Sequence, residues 1–461
     1  MLKILISTKS RLCFSADFRK KSDLIKYFEK GIKNTSEIKI GTEHEKFIYH
    51  KSDLSLVPYS GDVSINSIFD DFIKDGWTPI KENENIIALN KDRASITLEP
   101  GGQFELSGAP LKTIHETCKE INNHLAFTKK LEEKYNIGFL GLGFFPIGEL
   151  KDVPMVPKKR YSEIMTPYMK SISELGLEMM YQSATVQANF DYISESDMQR
   201  KINVSAFIQP IVTGLFSNSP FKNSKLSGYE TYRGYVWTKS DRERTGIPMF
   251  LTVKTLSFEE YIDYALQVPV YAIIRDNNYH NCTKYTFQDL LDGKNNQFAP
   301  DDILIEDWIN HISTIFTEVR LKTFIEMRGA DAGSYDTLCA LPAFWSGILY
   351  QEEALEETIK LISEFEYDDL IKFRSDVLSN GLNSLYKNKT GWQLAEKLIN
   401  ISFEGLKKRS KKNLYGDDET VHLDYLFEVI DKKETASEKA KKLYFQNNEL
   451  NIQKLFEGES F

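Results

Sequence analysis

Four short stretches repeat with period two, one side apolar and the other built from acids, amides and arginine. In GTEHEKFIY, which begins at Gly41, Glu43 and Glu45 share a side, because residues i and i+2 of a strand point the same way. In LEPGGQFEL, Glu99 closes one extended piece, and Gln103 and Glu105 share parity beyond the Pro100-Gly101-Gly102 bend. In ATVQANFDY, Val186, Ala188 and Phe190 form one face, while Thr185, Gln187, Asn189 and Asp191 form the other. In TFIEMRGAD, Phe324, Glu326 and Arg328 alternate with Ile325 and Met327. Strands of this kind belong to an antiparallel sheet with one packed and one polar face.

Carboxylates side by side on one face repel each other. A solvated charged face is the plain alternative, but such a face also carries many Lys, Ser and Thr. Here acids and amides dominate, close to strand ends and glycine bends. That favours a polar cavity in which a cation separates the carboxylates. Carboxylate and amide oxygens suit Mg²⁺, Mn²⁺ or Ca²⁺. Zinc calls for His or Cys at tight spacing. There is no HExxH, and His44 and His50 stand alone as structural side chains.

The rest of the chain supports a soluble α+β enzyme. Of its 461 residues 41% are hydrophobic and 27% charged, enough for a sizeable core. The net charge of −9 argues against a nucleic-acid scaffold, and no apolar run approaches the ~20 residues of a membrane span. Helices are expected over 22–34, 64–75, 113–135 and 195–215, with a strand over 138–145 and a loop around Pro154, Pro157 and Pro167. From about 353 onward the pattern is helical. The division expected is an N-terminal arm over 1–21 and a single catalytic domain over 22–461. The basic N-terminus is read as a loose arm of a cytoplasmic protein, with an organellar presequence as the alternative.

In YRGYVWTKSDRERTGIPMF, Arg233, Arg242 and Arg244 stand among Tyr232, Tyr235 and Trp237. Arginine forks grip carboxylates and phosphates in bidentate fashion. A solvated basic loop is the bland reading. Beside an acidic sheet the segment reads as a clamp for an anionic substrate or a transferring phosphoryl group, whose charge needs metals and cations. Neither GxxxxGK[ST] nor GxGxxG occurs, so a nucleotide is held by another scaffold.

GTEHEKF, LEPGGQFELSGAP, YRGYVWTKSDRERTG, EVRLKTFIEMRGAD and LCALPAFW, in this order, closely resemble the plant and proteobacterial type of glutamate–cysteine ligase. The resemblance runs from about 41 to 350. It implies a glutamine synthetase-like fold: a curved, mainly antiparallel sheet, flanked by helices, with its polar face as the active site. It implies ATP-dependent ligation of the γ-carboxylate of L-glutamate to L-cysteine through γ-glutamyl phosphate, the first step of glutathione synthesis. A γ-glutamyl ligase with a different amine acceptor is the alternative. By motif match, Glu43, Glu45, Glu99, Glu105 and Glu326 are expected on Mg²⁺, with Mn²⁺ as a substitute. Gln187 and Arg242 are expected near the nucleotide, Arg233 with Trp237 and Tyr232 around the amino-acid substrate, and Arg328 and Arg244 on phosphate. The partners expected are these small molecules, with no nucleic acid and no membrane, and a monomer or weak homodimer.

The four cysteines, Cys13, Cys118, Cys282 and Cys339, lie far apart without a CxxC. They suggest a reducing compartment or no reliance on disulfides, and Cys118, Cys282 and Cys339 read as packing residues. Plant members of the family are regulated by disulfides, one of them in the segment that holds Cys282 here. No second cysteine follows Cys282 before Cys339, so that bridge cannot form. Activity insensitive to dithiol reductants by that route is expected.

Overall fold

The computed structural model describes residues 21–461. The expected arm, apart from Lys21, lies outside the described residues, as do the presequence reading and Cys13. Nine strands make one sheet: β1 (Ile40–His50), β2 (Thr78–Glu82), β3 (Asn85–Lys91), β4 (Ala94–Leu98), β5 (Phe104–Ser107), β6 (Ile137–Leu140), β7 (Thr185–Phe190), β8 (Val319–Leu321) and β9 (Ile325–Asp331). The order is β8-β9-β7-β1-β5-β4-β3-β2, with β6 on the far half of β1. Every pairing in it is antiparallel. β1 is long enough to serve two neighbourhoods: Ile40–Lys46 pair with β5 and β7, and Phe47–His50 with β6.

The apolar parity of these strands packs on helices. Among them are α1 (Lys21–Glu29), α2 (Ile65–Lys74), α3 (Ile114–Tyr135), α4 (Glu195–Leu215), α5 (Tyr232–Thr238), α6 (Tyr335–Leu349) and α7 (Gly391–Arg409). Ile96, Leu98, Phe104 and Leu106 join Phe69, Phe72 and Leu131 in one core cluster. Val186, Ala188 and Phe190 join α4 and α6 in the largest. α3 starts where its sequence says it should: Thr113 accepts from the Glu116 amide, and Glu116 reaches back to the Thr113 amide, a reciprocal cap.

Three local expectations shift. The first helix closes at Glu29, short of 34. The 138–145 segment is a strand only as far as Leu140. Pro167 does not mark a loop. It lies inside a continuous helical run, in the stretch Thr166–Ile172. The segment before it, Arg160–Met165, is wound as a π-helix. Beyond Glu352 the chain is mostly helical, and its end returns to the sheet, where the Phe461 amide donates to the Phe139 carbonyl at 3.1 Å.

The cysteine expectation is corrected outright. Cys118 on α3 and Cys339 on α6 are joined in a disulfide, with Cα atoms 5.6 Å apart across 221 residues of sequence. Cys282 is free and buried.

Candidate active site

Register brings the acidic residues together. Glu45 stands opposite Glu105, Glu43 opposite Gln187, and Thr97 opposite Glu105 on the other side. The β4–β5 bend places Glu99 at the same end, because the Glu99 and Gln103 main chains stay paired across Gly101-Gly102. Glu43, Glu45, Glu99, Glu105, Gln187, Arg233, Trp237 and Arg328 all line one basin of 130 Å³. Three of the four carboxylates are tethered. Glu105 accepts from Thr97 Oγ1 at 2.6 Å and Ser107 Oγ at 2.9 Å, Glu45 from the Thr185 amide at 2.9 Å, and Glu43 from Asn189 Nδ2 at 2.9 Å.

Crowding shows in the proton affinity of Glu45 and Glu105. Burial, reinforced by Glu99 and Glu105, pushes the Glu45 carboxyl well above the usual range. Burial, with Glu43 and Glu99 close by, pushes Glu105 up to about 7. The donor set is oxygen throughout, which fits a hard divalent cation.

Glu326 has a different environment. It is fully buried beneath the basin rather than on its wall. Arg320 forks onto it, Nε to Oε2 at 2.5 Å and Nη2 to Oε1 at 2.9 Å, while Arg328 Nη1 approaches Oε1 at 3.3 Å. Burial disfavours its charge, yet Arg320, Lys322 and Arg328 hold its carboxyl well below the usual range. Its protein partners already occupy both oxygens. Arg328 also donates to Gln187 Oε1. The β9 register shifts between Met327 and Ala330, a bulge of the sort that re-aims a side chain beside a site.

The arginine segment divides in two. Residues 232–238 form helix α5, not a loop, so Arg233 and Trp237 are four apart on one face. Both line the basin. Among the described residues, Arg233 Nε and Trp237 Nε1 are buried with no hydrogen-bond partner, while Arg233 Nη2 is fixed on the Arg328 carbonyl at 2.9 Å. The base of α5 is anchored by Asp331, which accepts from Thr231 Oγ1, Ser219 Oγ and the Asn218 amide.

Tyr232, Arg242 and Arg244 do not reach the basin. Tyr232 points the other way, donating to Glu178 at 3.0 Å and accepting from Lys222 at 2.6 Å. Arg242 is exposed. Arg244 is fully buried, with Nε on Asp241 at 2.6 Å, Nη2 on the Pro269 carbonyl at 2.8 Å, and its guanidinium over the Tyr271 ring. Its donors are spent on the fold.

Cations that the sequence reading passed over do reach it. Lys158, Arg160, Arg320 and Lys322 line the basin. Arg320 and Lys322 share parity in EVRLKTF, and β8 pairs with β9 so that Arg320 faces Glu326. The period-two rule applied to that hairpin finds them. Lys158 and Arg160 have no periodic signal, since an irregular segment delivers Lys158 and the first residue of the π-helix is Arg160. They also line a second cavity of 340 Å³, shared with Met165 and Ser313 and bounded by Lys81, Tyr271 and Arg275.

Carboxylates on an antiparallel sheet, faced by arginines beside a larger cavity, make a basin suited to a hard cation and an anionic substrate. In fold, a crystal structure of glutamate–cysteine ligase from Francisella tularensis in complex with AMP superposes with a TM-score of 0.51, covering 92% of this chain and 87% of that one at 13% identity. In sequence, a family model described as Glutamate-cysteine ligase family 2 (GCS2) matches residues 39–444. A chloroplastic glutamate–cysteine ligase of Medicago truncatula is 42% identical over 95% of this chain and 84% of its own length. Glutamate–cysteine ligase A, chloroplastic, of Oryza sativa subsp. indica is 44% identical over 86% and 80%. The chain belongs to the glutamate–cysteine ligase family 2.

Proposed function

We propose that the chain joins the γ-carboxylate of L-glutamate to the amine of L-cysteine, with ATP converted to ADP and phosphate through a γ-glutamyl phosphate. The observation that carries this reading is the apposition, in one basin, of four carboxylates, three of them tethered, with Arg233, Arg328, Lys158 and Arg160. Glu43, Glu45, Glu99 and Glu105 would hold Mg²⁺, or Mn²⁺ in its place, and the bound ion supplies neutralisation of phosphate charge. Arg328, held between Gln187 and Glu326, presents a guanidinium to the charge that grows on the transferring phosphoryl group. Arg233 Nε and Trp237 Nε1 offer the glutamate two donors that the fold leaves unmatched. Lys158 and Arg160 stand where the two cavities meet, so a nucleotide in the larger one passes its phosphates between them. The buried basin keeps water from the acyl phosphate while the amine arrives.

Glu326 enters this proposal differently from the other four. Its two oxygens are committed to Arg320 and Arg328, so it orients cations and takes part in metal binding only if that fork opens. Arg244 braces the wall of the larger cavity through Tyr271.

A cytoplasmic setting and a monomer or weak homodimer belong to the same proposal. Among the described residues no helix is long and apolar enough to cross a membrane, while the relatives above are named chloroplastic. A fluorescent fusion of the whole chain reads the compartment, and sedimentation the assembly.

The deciding assay is ADP release with ATP, Mg²⁺ and L-glutamate, with and without L-cysteine, the product being weighed by mass spectrometry. Cysteine-dependent ADP with γ-glutamylcysteine is expected. ADP release without that dipeptide points to a different amine acceptor, and no ADP from folded protein overturns the reading.

A further inference from the structure

Away from the carboxylate basin, four side chains from three segments distant in sequence meet between α3, α6 and the 3₁₀ turn Glu419–Leu423. Cys118 and Cys339 are both buried. His422 Nδ1 lies 3.5 Å from Cys118 Sγ. The two sulfurs and one nitrogen of His422 lie within 4.8 Å of one another. His115, one turn before Cys118 on α3, faces His422 from the other side, Nδ1 to Nε2 at 3.0 Å, and its own Nε2 lies 3.2 Å from the Lys411 carbonyl.

This chain of contacts sets the tautomers. A carbonyl only accepts, so His115 Nε2 carries the proton. Neutral His115 then accepts at Nδ1, so His422 donates from Nε2. What remains is the lone pair of His422 Nδ1, directed at the sulfurs. An imidazole fixed by a hydrogen bond from its far nitrogen is the usual arrangement of a metal-binding histidine. Zinc bonds of about 2.3 Å to sulfur and about 2.0 Å to nitrogen, in tetrahedral array, separate the two donors by about 3.5 Å. The observed 3.5 Å matches.

We propose that the reduced chain binds one thiophilic divalent cation, Zn²⁺ in kind, through Cys118 Sγ, Cys339 Sγ and His422 Nδ1, with His115 as the positioning residue behind His422. The disulfide is the metal-free, oxidised state of the same site. A phosphine or dithiol reductant supplies the two electrons that open the sulfur–sulfur bond. Two protons complete the thiols, and metal entry displaces both. The cation then ties α3, α6 and the Glu419–Leu423 turn together where the disulfide no longer does.

Co²⁺ is the probe, because sulfur-to-cobalt charge transfer absorbs strongly and the oxygen ligands of the basin produce no such band. After phosphine reduction and removal of adventitious metal, the chain is expected to bind one Co²⁺ with that band, displaced by Zn²⁺. The band should persist in a Cys13→Ala/Cys282→Ala variant and vanish in Cys339→Ala. Affinity should fall about 10–100-fold in His115→Ala. The unmutated chain provides a readout free of folding defects: oxidation by diamide, itself reduced to the hydrazine, restores the disulfide and should abolish the band. A reduced wild type without the band, or a band that survives Cys339→Ala or diamide, overturns the proposal.

Discussion

Arg233 and Arg244 are the same kind of residue in one stretch of sequence, and the fold uses them in opposite ways. Arg233 keeps a donor unmatched at the basin, whereas Arg244 uses its guanidinium on Asp241, Thr314, Pro269 and the Tyr271 ring. Nothing local distinguishes them, since the partners of Arg244 include residues 25 and 70 positions away. Glu43 and Glu45, by contrast, were legible at once, because parity within a strand needs no tertiary information. Two substitutions separate the roles. Arg233→Ala should raise the KM for glutamate on the order of 10–100-fold with a smaller change in kcat, the loss of a hydrogen bond to a charged group. Glu45→Gln should cut kcat by roughly 100-fold or more. Steady-state kinetics with varied glutamate decides both, and a Glu45→Gln enzyme with near-native kcat would remove that residue from the site. Glu326→Gln is a poor probe of chemistry. It strips the anion from Arg320, and stranding a buried cation costs about 3–5 kcal/mol of stability.

At the scale of elements, the strands of the site and the long helices α3 and α4 follow from alternation, capping and helical spacing. The places where the reading slipped are short elements. YRGYVWT has no strong helical signal, yet a Thr231 cap and the Asp331 anchor below it make it α5. The π-helix at Arg160–Met165 could not be read at all, since its winding has no sequence period of its own. The β4–β5 bend was legible through its glycines, and its geometry explains why. A Cβ on Gly101 would stand 2.1 Å from the Tyr181 carbonyl oxygen, and Gly102 has a φ of +82°, where a side chain is strained. Gly101→Ala should therefore destabilise the chain by about 1–3 kcal/mol. It should also lower activity, because the bend holds Glu99 beside Glu105. Denaturant melts paired with the ADP assay measure both, and an alanine variant with native stability would show that the bend can give way.

At the scale of the whole molecule, the basin stores electrostatic repulsion that the fold tolerates. Folding raises Glu105 from the ordinary 4.5 to about 7, and Glu45 moves in the same direction. Between those values these two carboxyls bind more protons in the metal-free native chain than in the unfolded one, so their contribution to stability falls as pH rises through that window, while His44, His124, His311 and His422, kept neutral by burial, contribute in the opposite sense in its lower part. A divalent cation should reverse the trend by replacing the protons. Thermal midpoints of metal-free protein at about pH 5 and pH 8, with and without Mg²⁺, test this. The expected result is a larger gain from Mg²⁺ at the higher pH. A gain that does not grow with pH would show that the carboxylates do not repel one another as placed.

By itself the sequence determined which residues share a strand face, where the long helices begin, and that acids line a polar surface. These follow from covalent geometry within a few residues, so they survive without knowledge of the fold. Only the tertiary structure decided what meets what across long separations. It set Glu105 opposite Glu45, buried Glu326 under Arg320, withdrew Arg244 from the site and brought in Lys158 and Arg160. It also placed Cys118, Cys339 and His422 together, although no spacing in the chain connects them. Such pairings depend on burial and register between segments up to 300 or so positions apart, a distance over which local chemistry carries no signal.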